Sequence, residues 1–323
     1  MSTGLCESLV LSVAAELNRP HLALLFQRVL SEEACVWRIQ SRGRLGEPLA
    51  WLKQHKTDHK ADREWRALRR WGTKVGAPLV IARPDDRSLL LEHCEGISLY
   101  ESGQDGATLM GELIAALHLE DYEDLDQLTL SEAVEMRFRR SIASAPAILE
   151  ALRIKAPSLV ESFKDRILNL NQRFEKNTVW RECCERRVIC HRDLSAANVI
   201  ISFSSEGHGR ARLIDWGQSR ADHWSSDWVK LWLDSQFVPL FRSAWRAYRR
   251  RVTEERDGDL TPPSLDILQQ QATIHVLNTF DWSLRSKRSD VREQVFRRGL
   301  NELKTLNKRD EDLLSASNQH HLY

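Results

Sequence analysis

The chain has almost no net charge, no paired cysteine spacing and no long apolar run, and each shortage closes off a class of function. Its 47 Lys and Arg balance 46 Asp and Glu, for a formal net charge of +1. Composition therefore carries no electrostatic footprint for nucleic acid, and none is expected as a partner. The six cysteines, Cys6, Cys35, Cys94, Cys183, Cys184 and Cys190, include no C-x-x-C pair, which sets aside a zinc site of ordinary spacing. No segment approaches the ~20 apolar residues of a membrane-spanning helix. Leu9 to Ala15 is too short, and no basic segment precedes it as in a leader. The expectation is a protein of the reducing cytoplasm without integral membrane association. No internal repeat is visible, and nothing in the sequence sets the oligomeric state.

What is present is concentrated in one stretch. Val188 to Gln218 reads VICHRDLSAANVIISFSSEGHGRARLIDWGQ. Val188 to Cys190 is a short apolar run that predicts a buried strand delivering His191, Arg192 and Asp193 into a loop. Val199 to Phe203 is β-branched and aromatic, hence a strand. Ser204 to Gly209 is a turn with two glycines, and Arg210 to Ile214 returns as a second strand. Antiparallel pairing of this hairpin brings Asn198 and Asp215 together across seventeen residues of sequence. An amide and a carboxylate so placed are hard oxygen ligands of the kind Mg²⁺ prefers. Asp193 is a carboxylate able to accept a proton from a hydroxyl. Together these residues suit the catalytic half of a phosphoryl-transfer site.

The sequence HRDLSAAN followed by IDWG resembles the catalytic and metal-binding motifs of the protein-kinase-like superfamily. Ten residues separate Gly217 from Trp228, with no long activation segment and no Ala-Pro-Glu motif. The spacing from Asp215 to Asp227 resembles instead the aminoglycoside phosphotransferase and choline kinase branch. There a matching acid supports the catalytic loop, a role the resemblance extends to Asp227. Leu113 to His118 resembles the Leu-x-x-Leu-His helix of that branch. Leu89 to Gly96 resembles the strand and hinge between its lobes, where the backbone of Glu92, His93 and Cys94 would meet adenine. Arg192 departs from the small residue usual there and matches the protein-kinase form.

Toward the amino terminus, Leu22 to Leu30, Ala34 to Gln40 and Leu49 to His55 read as strands, and Asp58 to Trp71 as a helix with Trp65, Leu68 and Trp71 on one face. The resemblance makes Lys53 the phosphate-binding lysine and Glu64 its ion-pair partner. It places the phosphate loop at Ser31-Glu32-Glu33. That loop holds no glycine, so backbone amides and Ser31 are left to bind phosphate. Gly43 and Gly46 belong to the next turn.

Eleven tryptophans are unusually many. Trp224, Trp228 and Trp232, at i, i+4 and i+8, suit either core packing or stacking on a ring-shaped acceptor. Helices are expected over Met110 to Leu119, Ser131 to Leu152, Ser158 to Lys176, Trp228 to Val252 and Ser264 to Leu306. Arg242, Arg246, Arg249, Arg250, Arg251 and Arg256 form a basic run, read either as a solvated face or as a surface for an anion.

The implied fold is α+β and bilobal, protein-kinase-like. A small β-rich nucleotide-binding lobe spans residues 1–95, and a larger, mainly helical catalytic and acceptor-binding lobe spans 96–323. The implied activity is transfer of the γ-phosphate of ATP, with Mg²⁺, to a hydroxyl of a small molecule such as a sugar, an aminoglycoside or an amino alcohol. Lys53 would neutralise phosphate charge, Asn198 and Asp215 would hold the metal, Asp193 would act on the acceptor hydroxyl, and His191 would buttress the loop. Three alternatives stay open: a kinase of a lipopolysaccharide core sugar, a bacterial protein kinase, and a non-catalytic pseudokinase that binds a partner.

Overall fold

The computed structural model describes residues 5–29, 34–42, 48–72, 74–120, 130–175, 188–255 and 265–317. The Ser31-Glu32-Glu33 loop, Gly43 and Gly46, Trp180, Cys183, Cys184 and Arg256 lie outside the described residues. The chain packs as two compact units. One comprises Met1–Leu117, His191–Arg220 and Arg246–Tyr248; the other comprises His118–Cys190, Ala221–Trp245 and Arg249–Tyr323.

The first unit is built on an antiparallel sheet. Its strands are β1 (Leu24–Val29), β2 (Ala34–Ser41), β3 (Pro48–His55), β4 (Val80–Asp85) and β5 (Ser88–Glu92), in the order β1-β2-β3-β5-β4. Strand β3 is central, and its pleat sends alternate side chains to opposite faces. Ala50 and Leu52 join Leu24, Phe26, Trp37, Ile39 and Leu90 in an apolar core, capped by Leu9, Val13 and Ala14 of helix α1 (Glu7–Glu16). Lys53 and His55 point the other way, yet are buried as well. Helix α1 is not among the elements expected from sequence, nor is edge strand β4, where Pro84 is tolerated because an edge leaves one side of the ladder free.

Helix α2 (Asp58–Trp71) has the expected bounds and begins at Thr57, whose Oγ1 accepts the Lys60 N–H at 3.4 Å. Its buried stripe is Ala61, Glu64, Ala67, Leu68 and Trp71. Trp65, expected on that face, is only half-buried and lies instead under the Arg69 and Arg83 guanidinium groups, 5.0 and 5.6 Å from its ring centre. A carboxylate has taken the central place in the stripe.

Beyond β5 the chain turns through Gly96 into β6 (Ile97–Ser98), which pairs with β8 (Val199–Phe203) in the sheet β6-β8-β9, β9 being Gly209–Leu213. Gly96 has φ +150°, and a Cβ there would lie 2.4 Å from the Ile201 carbonyl oxygen. Only glycine lets the chain pass this close to the hairpin. Helix α3 (Leu99–Leu119) follows, broken at Gly103 (φ 63°).

The second unit is mainly helical. It contains α4 (Leu130–Lys155), α5 (Val160–Glu175), the short strand β7 (Val188–Cys190), the end of β10 (Arg220–Asp222), α6 (Ser225–Trp232) and most of α7 (Val238–Glu255). Among the described residues, helices α8 (Leu265–Arg285) and α9 (Ser289–Ser317) follow in it. The single helix expected over Trp228 to Val252 is two. Pro239 lacks the N–H that would carry a helix across 233–237, and the Asp234 side chain and carbonyl accept the N–H groups of Gln236 and Phe237 instead. The helical stretch expected from Ser264 likewise divides between α8 and α9, where the Ser286 N–H folds back on the Trp282 and Ser283 carbonyls. Trp224, Trp228 and Trp232 are buried, and Trp228 packs edge-on against Trp245 at 5.0 Å. The tryptophan stripe is core.

Candidate active site

The hairpin β8–β9 pairs Val199 with Leu213, so the next pair outward is Asn198 and Ile214, joined by an Ile214 N–H donating to the Asn198 carbonyl at 3.0 Å. Asn198 and Asp215 therefore leave the hairpin at the same end. The Asn198 side-chain amide donates to the Asp193 carbonyl at 2.7 Å. This spends the nitrogen on the HRD loop and leaves the amide oxygen as a ligand atom.

Asp215 has φ 66° and ψ 63°, a left-handed conformation that costs on the order of 1–3 kcal/mol for a residue with a side chain unless its surroundings impose it. They do so from both sides. On one side, His191 Nε2–H donates to the Ile214 carbonyl at 2.9 Å. On the other, the Trp216 N–H donates to Glu64 Oε1 at 3.1 Å and the Trp216 indole N–H to the Leu213 carbonyl at 2.7 Å. His191 and Trp216 also pack edge to face, 4.9 Å between ring centres. His191 is fully buried, in keeping with a buttress. Arg192 has φ 62° and turns the loop so that Asp193, half-buried, follows.

One cation ties these pieces to the sheet. Lys53 Nζ lies 2.7 Å from Glu64 Oε2, 3.0 Å from Glu64 Oε1 and 2.6 Å from Asp215 Oδ1. Glu64 is 0 % exposed, whereas the Asp215 side chain is 43 % exposed. His55 Nε2 stands 2.7 Å from Glu64 Oε2. Burial is the largest single influence on Lys53 and works against its charge, but Glu64 and Asp215 outweigh it and its pKa is raised. Burial likewise pushes Glu64 upward, but Lys53 and His55 pull it down to about 2. Lys53 and Glu64 are thus a buried ion pair, and the Asp215 carboxylate that shares the ammonium reaches solvent.

The other expected positions sit as follows. Glu92 Oε1 pairs with Arg212 at 3.4 Å and Glu92 Oε2 accepts the Leu79 N–H at 3.1 Å. The Trp51 indole N–H donates to His93 Nδ1 at 3.0 Å, and burial lowers the His93 pKa, so the imidazole is neutral. The Cys94 thiol takes an Arg212 N–H at 3.5 Å, and its pKa is raised, chiefly by burial. Ser31 lies outside the described residues.

His118 Nε2–H donates to Asp227 Oδ2 at 3.1 Å, both side chains buried. With Cys190 they bring a nitrogen, a sulfur and an oxygen within 4.8 Å of one another. The Cys190 thiol donates to the His223 carbonyl at 3.3 Å, and that hydrogen bond and the His118–Asp227 pair satisfy the group as it stands. His55 was not marked by the sequence pattern. The available clue was its spacing, two residues from Lys53 on one strand face.

The profile of a phosphotransferase enzyme family matches residues 52–262, more than half of the chain. No curated protein sequence matches significantly. Solved structures do. A choline kinase from Cryptosporidium parvum Iowa II aligns with TM-score 0.60 at 12 % identity, covering 97 % of this chain and 99 % of its own. An aminoglycoside phosphotransferase, APH(2″)-IIa, solved with streptomycin and ATP, aligns with TM-score 0.56 at 14 % identity, covering 93 % and 96 %. Macrolide 2′-phosphotransferase MphH from Brachybacterium faecium aligns with TM-score 0.54 at 15 % identity, covering 88 % and 95 %. At these identities the likeness is one of fold. The fold is protein-kinase-like, with an antiparallel sheet toward the amino terminus and helices toward the carboxyl terminus.

Proposed function

The chain belongs to the phosphotransferase enzyme family, and from that premise we propose that it moves the γ-phosphate of ATP, with Mg²⁺, to a hydroxyl of a small molecule such as a sugar, an aminoglycoside or an amino alcohol. The observation that carries this reading is the Lys53–Glu64–Asp215 cluster. It has a buried ammonium locked by a buried carboxylate, and its third member opens to solvent beside Asn198.

In this reading residues 1–95 form the nucleotide lobe and 96–323 the catalytic and acceptor lobe. The backbone of Glu92, His93 and Cys94 meets the nucleobase. Ser31 and its neighbours contact phosphate. Lys53 exchanges Asp215 for phosphate oxygens while Glu64 keeps it in place. The donor set fits a hard divalent cation: Asp215 presents a half-exposed carboxylate, and the Asn198 amide keeps its oxygen free of the bond that its nitrogen makes to Asp193. When bound there, Mg²⁺ would neutralise charge on the transferring phosphates. Asp193 accepts the proton of the acceptor hydroxyl as the new oxygen–phosphorus bond forms and the bond to the leaving ADP breaks. His191 and Arg192 hold the loop that presents it. Catalysis by such residues is positioning and charge stabilisation.

Among the described residues no helix is long and apolar enough to cross a membrane, and Cys6, Cys35, Cys94 and Cys190 are not in disulfides. Reduced thiols suit a cytoplasmic enzyme. A second reading, an acceptor that is itself anionic, is favoured by α7, where Arg242, Arg246 and Arg250 are exposed at helical spacing.

Calorimetric titration of ATP, with and without Mg²⁺, tests the proposal on wild type and Asp215→Ala. Binding that depends on Mg²⁺ and disappears in the variant is expected. Absence of binding by the wild type would overturn it in favour of a non-catalytic, partner-binding role.

A further inference from the structure

Glu64 is held by more than the lysine. Lys53 and His55 lie on the same face of β3, two residues apart, and both are buried. Opposite them, Glu64 sits in the buried stripe of α2. Its Oε1 receives Lys53 at 3.0 Å and the Trp216 N–H at 3.1 Å; its Oε2 lies 2.7 Å from Lys53 Nζ and 2.7 Å from His55 Nε2. One carboxylate thus joins strand, helix and the Asp215-Trp216-Gly217 turn. His55 also backs that turn: a Cβ on Gly217 would lie 3.5 Å from His55 Cε1 and 3.5 Å from Glu64 Oε2.

The arrangement poses an electrostatic problem that the lysine alone does not solve. Lys53 serves two carboxylates before nucleotide arrives. When its ammonium turns toward phosphate, its charge is shared with a stronger anion. Glu64 cannot turn to water, because it is completely buried, and a buried carboxylate that loses its partner is costly. Among the described residues, His55 is the other side chain paired with Oε2.

We propose that His55 is a positioning residue of phosphoryl transfer: with its Nε2 2.7 Å from Glu64 Oε2, it holds Glu64 in place while Lys53 engages the nucleotide phosphates. The proposal rests on the nucleotide-binding reading above and deepens it. His55 acts through Glu64 and the turn, not on substrate.

The test is Mg-ATP titration of the full chain as wild type, His55→Gln, His55→Phe and His55→Asn, with the thermal midpoint of each measured in parallel. Gln retains an N–H donor at similar reach, Phe retains the ring without the donor, and Asn is polar but too short. Gln should bind Mg-ATP within about threefold of wild type, while Phe and Asn should lose about tenfold or more. The losses should not follow the order of the thermal midpoints. Should Phe fail to fold, the Gln and Asn pair decides alone. Wild-type affinity in both Phe and Asn, or a loss in Gln equal to theirs, would overturn the role of His55 while leaving the nucleotide site standing. A wild type that binds no Mg-ATP would overturn the underlying reading, and this role with it.

Discussion

Two buried carboxylates in this molecule are depressed to the same degree and serve different ends. Glu64 in the first unit and Glu302 in the second are each held at about 2, against strong opposing burial. Glu302 finds its partners within one pair of helices: Arg298, one turn away on α9, at 2.8 Å, with Thr279 Oγ1–H at 3.0 Å and His275 at 3.5 Å from α8. Glu64 draws its partners from β3 and from a turn 152 residues later in the chain. The Glu302 set ends in contacts internal to the helices. The Glu64 set ends in Asp215, a strained residue whose carboxylate faces solvent. A buried charge whose network closes on itself pins helices together. One whose network leads to an open carboxylate prepares a ligand site.

The largest expected effect lies at the open end. Asp193→Asn keeps size and most hydrogen bonding but removes the group that accepts the hydroxyl proton. Transfer should fall by about 10²–10⁴-fold while Mg-ATP affinity stays near wild type. Near-normal turnover by this variant, followed by release of ADP, would remove Asp193 from the mechanism.

The comparison itself is tested by making the same change twice. Glu64→Gln leaves an acceptor for the Trp216 N–H but takes the charge from beneath Lys53. It should cost about 3 kcal/mol of stability, as for a broken buried pair, and also weaken Mg-ATP binding. Glu302→Gln should cost about 1–2 kcal/mol and leave Mg-ATP binding unchanged, because its partners serve only α8 and α9. Equal effects on nucleotide affinity would erase the distinction drawn above.

Acid sharpens it further. Both carboxylates titrate lower in the folded state than their ordinary value of 4.5, at about 2. Their stabilisation is therefore complete above about pH 4.5 and is lost as pH falls from there to about 2. Each contributes on the order of 3 kcal/mol at most. Denaturant unfolding of the wild type across that window should show a fall in stability that is shallower in either Gln variant.

Much of this architecture was legible in the sequence because local and long-range signals agreed. The hairpin from Val199 to Leu213 announces itself by β-branched runs around a glycine turn, and its register follows. Helix α2 has strong amphipathic spacing, and its bounds follow from it. Strand β3 was harder, because both faces are buried and the alternation of apolar and polar residues is lost. For the same reason His55 was silent: it looks like a polar interruption until Glu64 is seen across from it. Trp65 misled because tryptophan at helical spacing suggests core, whereas its ring serves the Arg69 and Arg83 guanidinium groups. The break before α7 was missed because the apolar periodicity runs through Pro239 unbroken, and only backbone chemistry interrupts it.

The smallest effect concerns how Glu64 is aimed. Helix α2 starts at Thr57, two residues beyond β3, so its first turn fixes the angle at which the Glu64 stripe meets Lys53 and His55. The Thr57 hydroxyl satisfies one of the orphan N–H groups at that end, that of Lys60, over a long 3.4 Å at an exposed site. Thr57→Ala should therefore cost only about 0.5–1 kcal/mol, the lower part of the range for such caps. If α2 is held chiefly by its buried charges, Mg-ATP affinity will change by less than about twofold, since Lys53, the Trp216 N–H and the contact with His55 still hold Glu64. A loss of affinity as large as that of Glu64→Gln would place the aim of the carboxylate in the cap rather than in the cluster. Isothermal titration and a denaturation curve on this one variant separate the two.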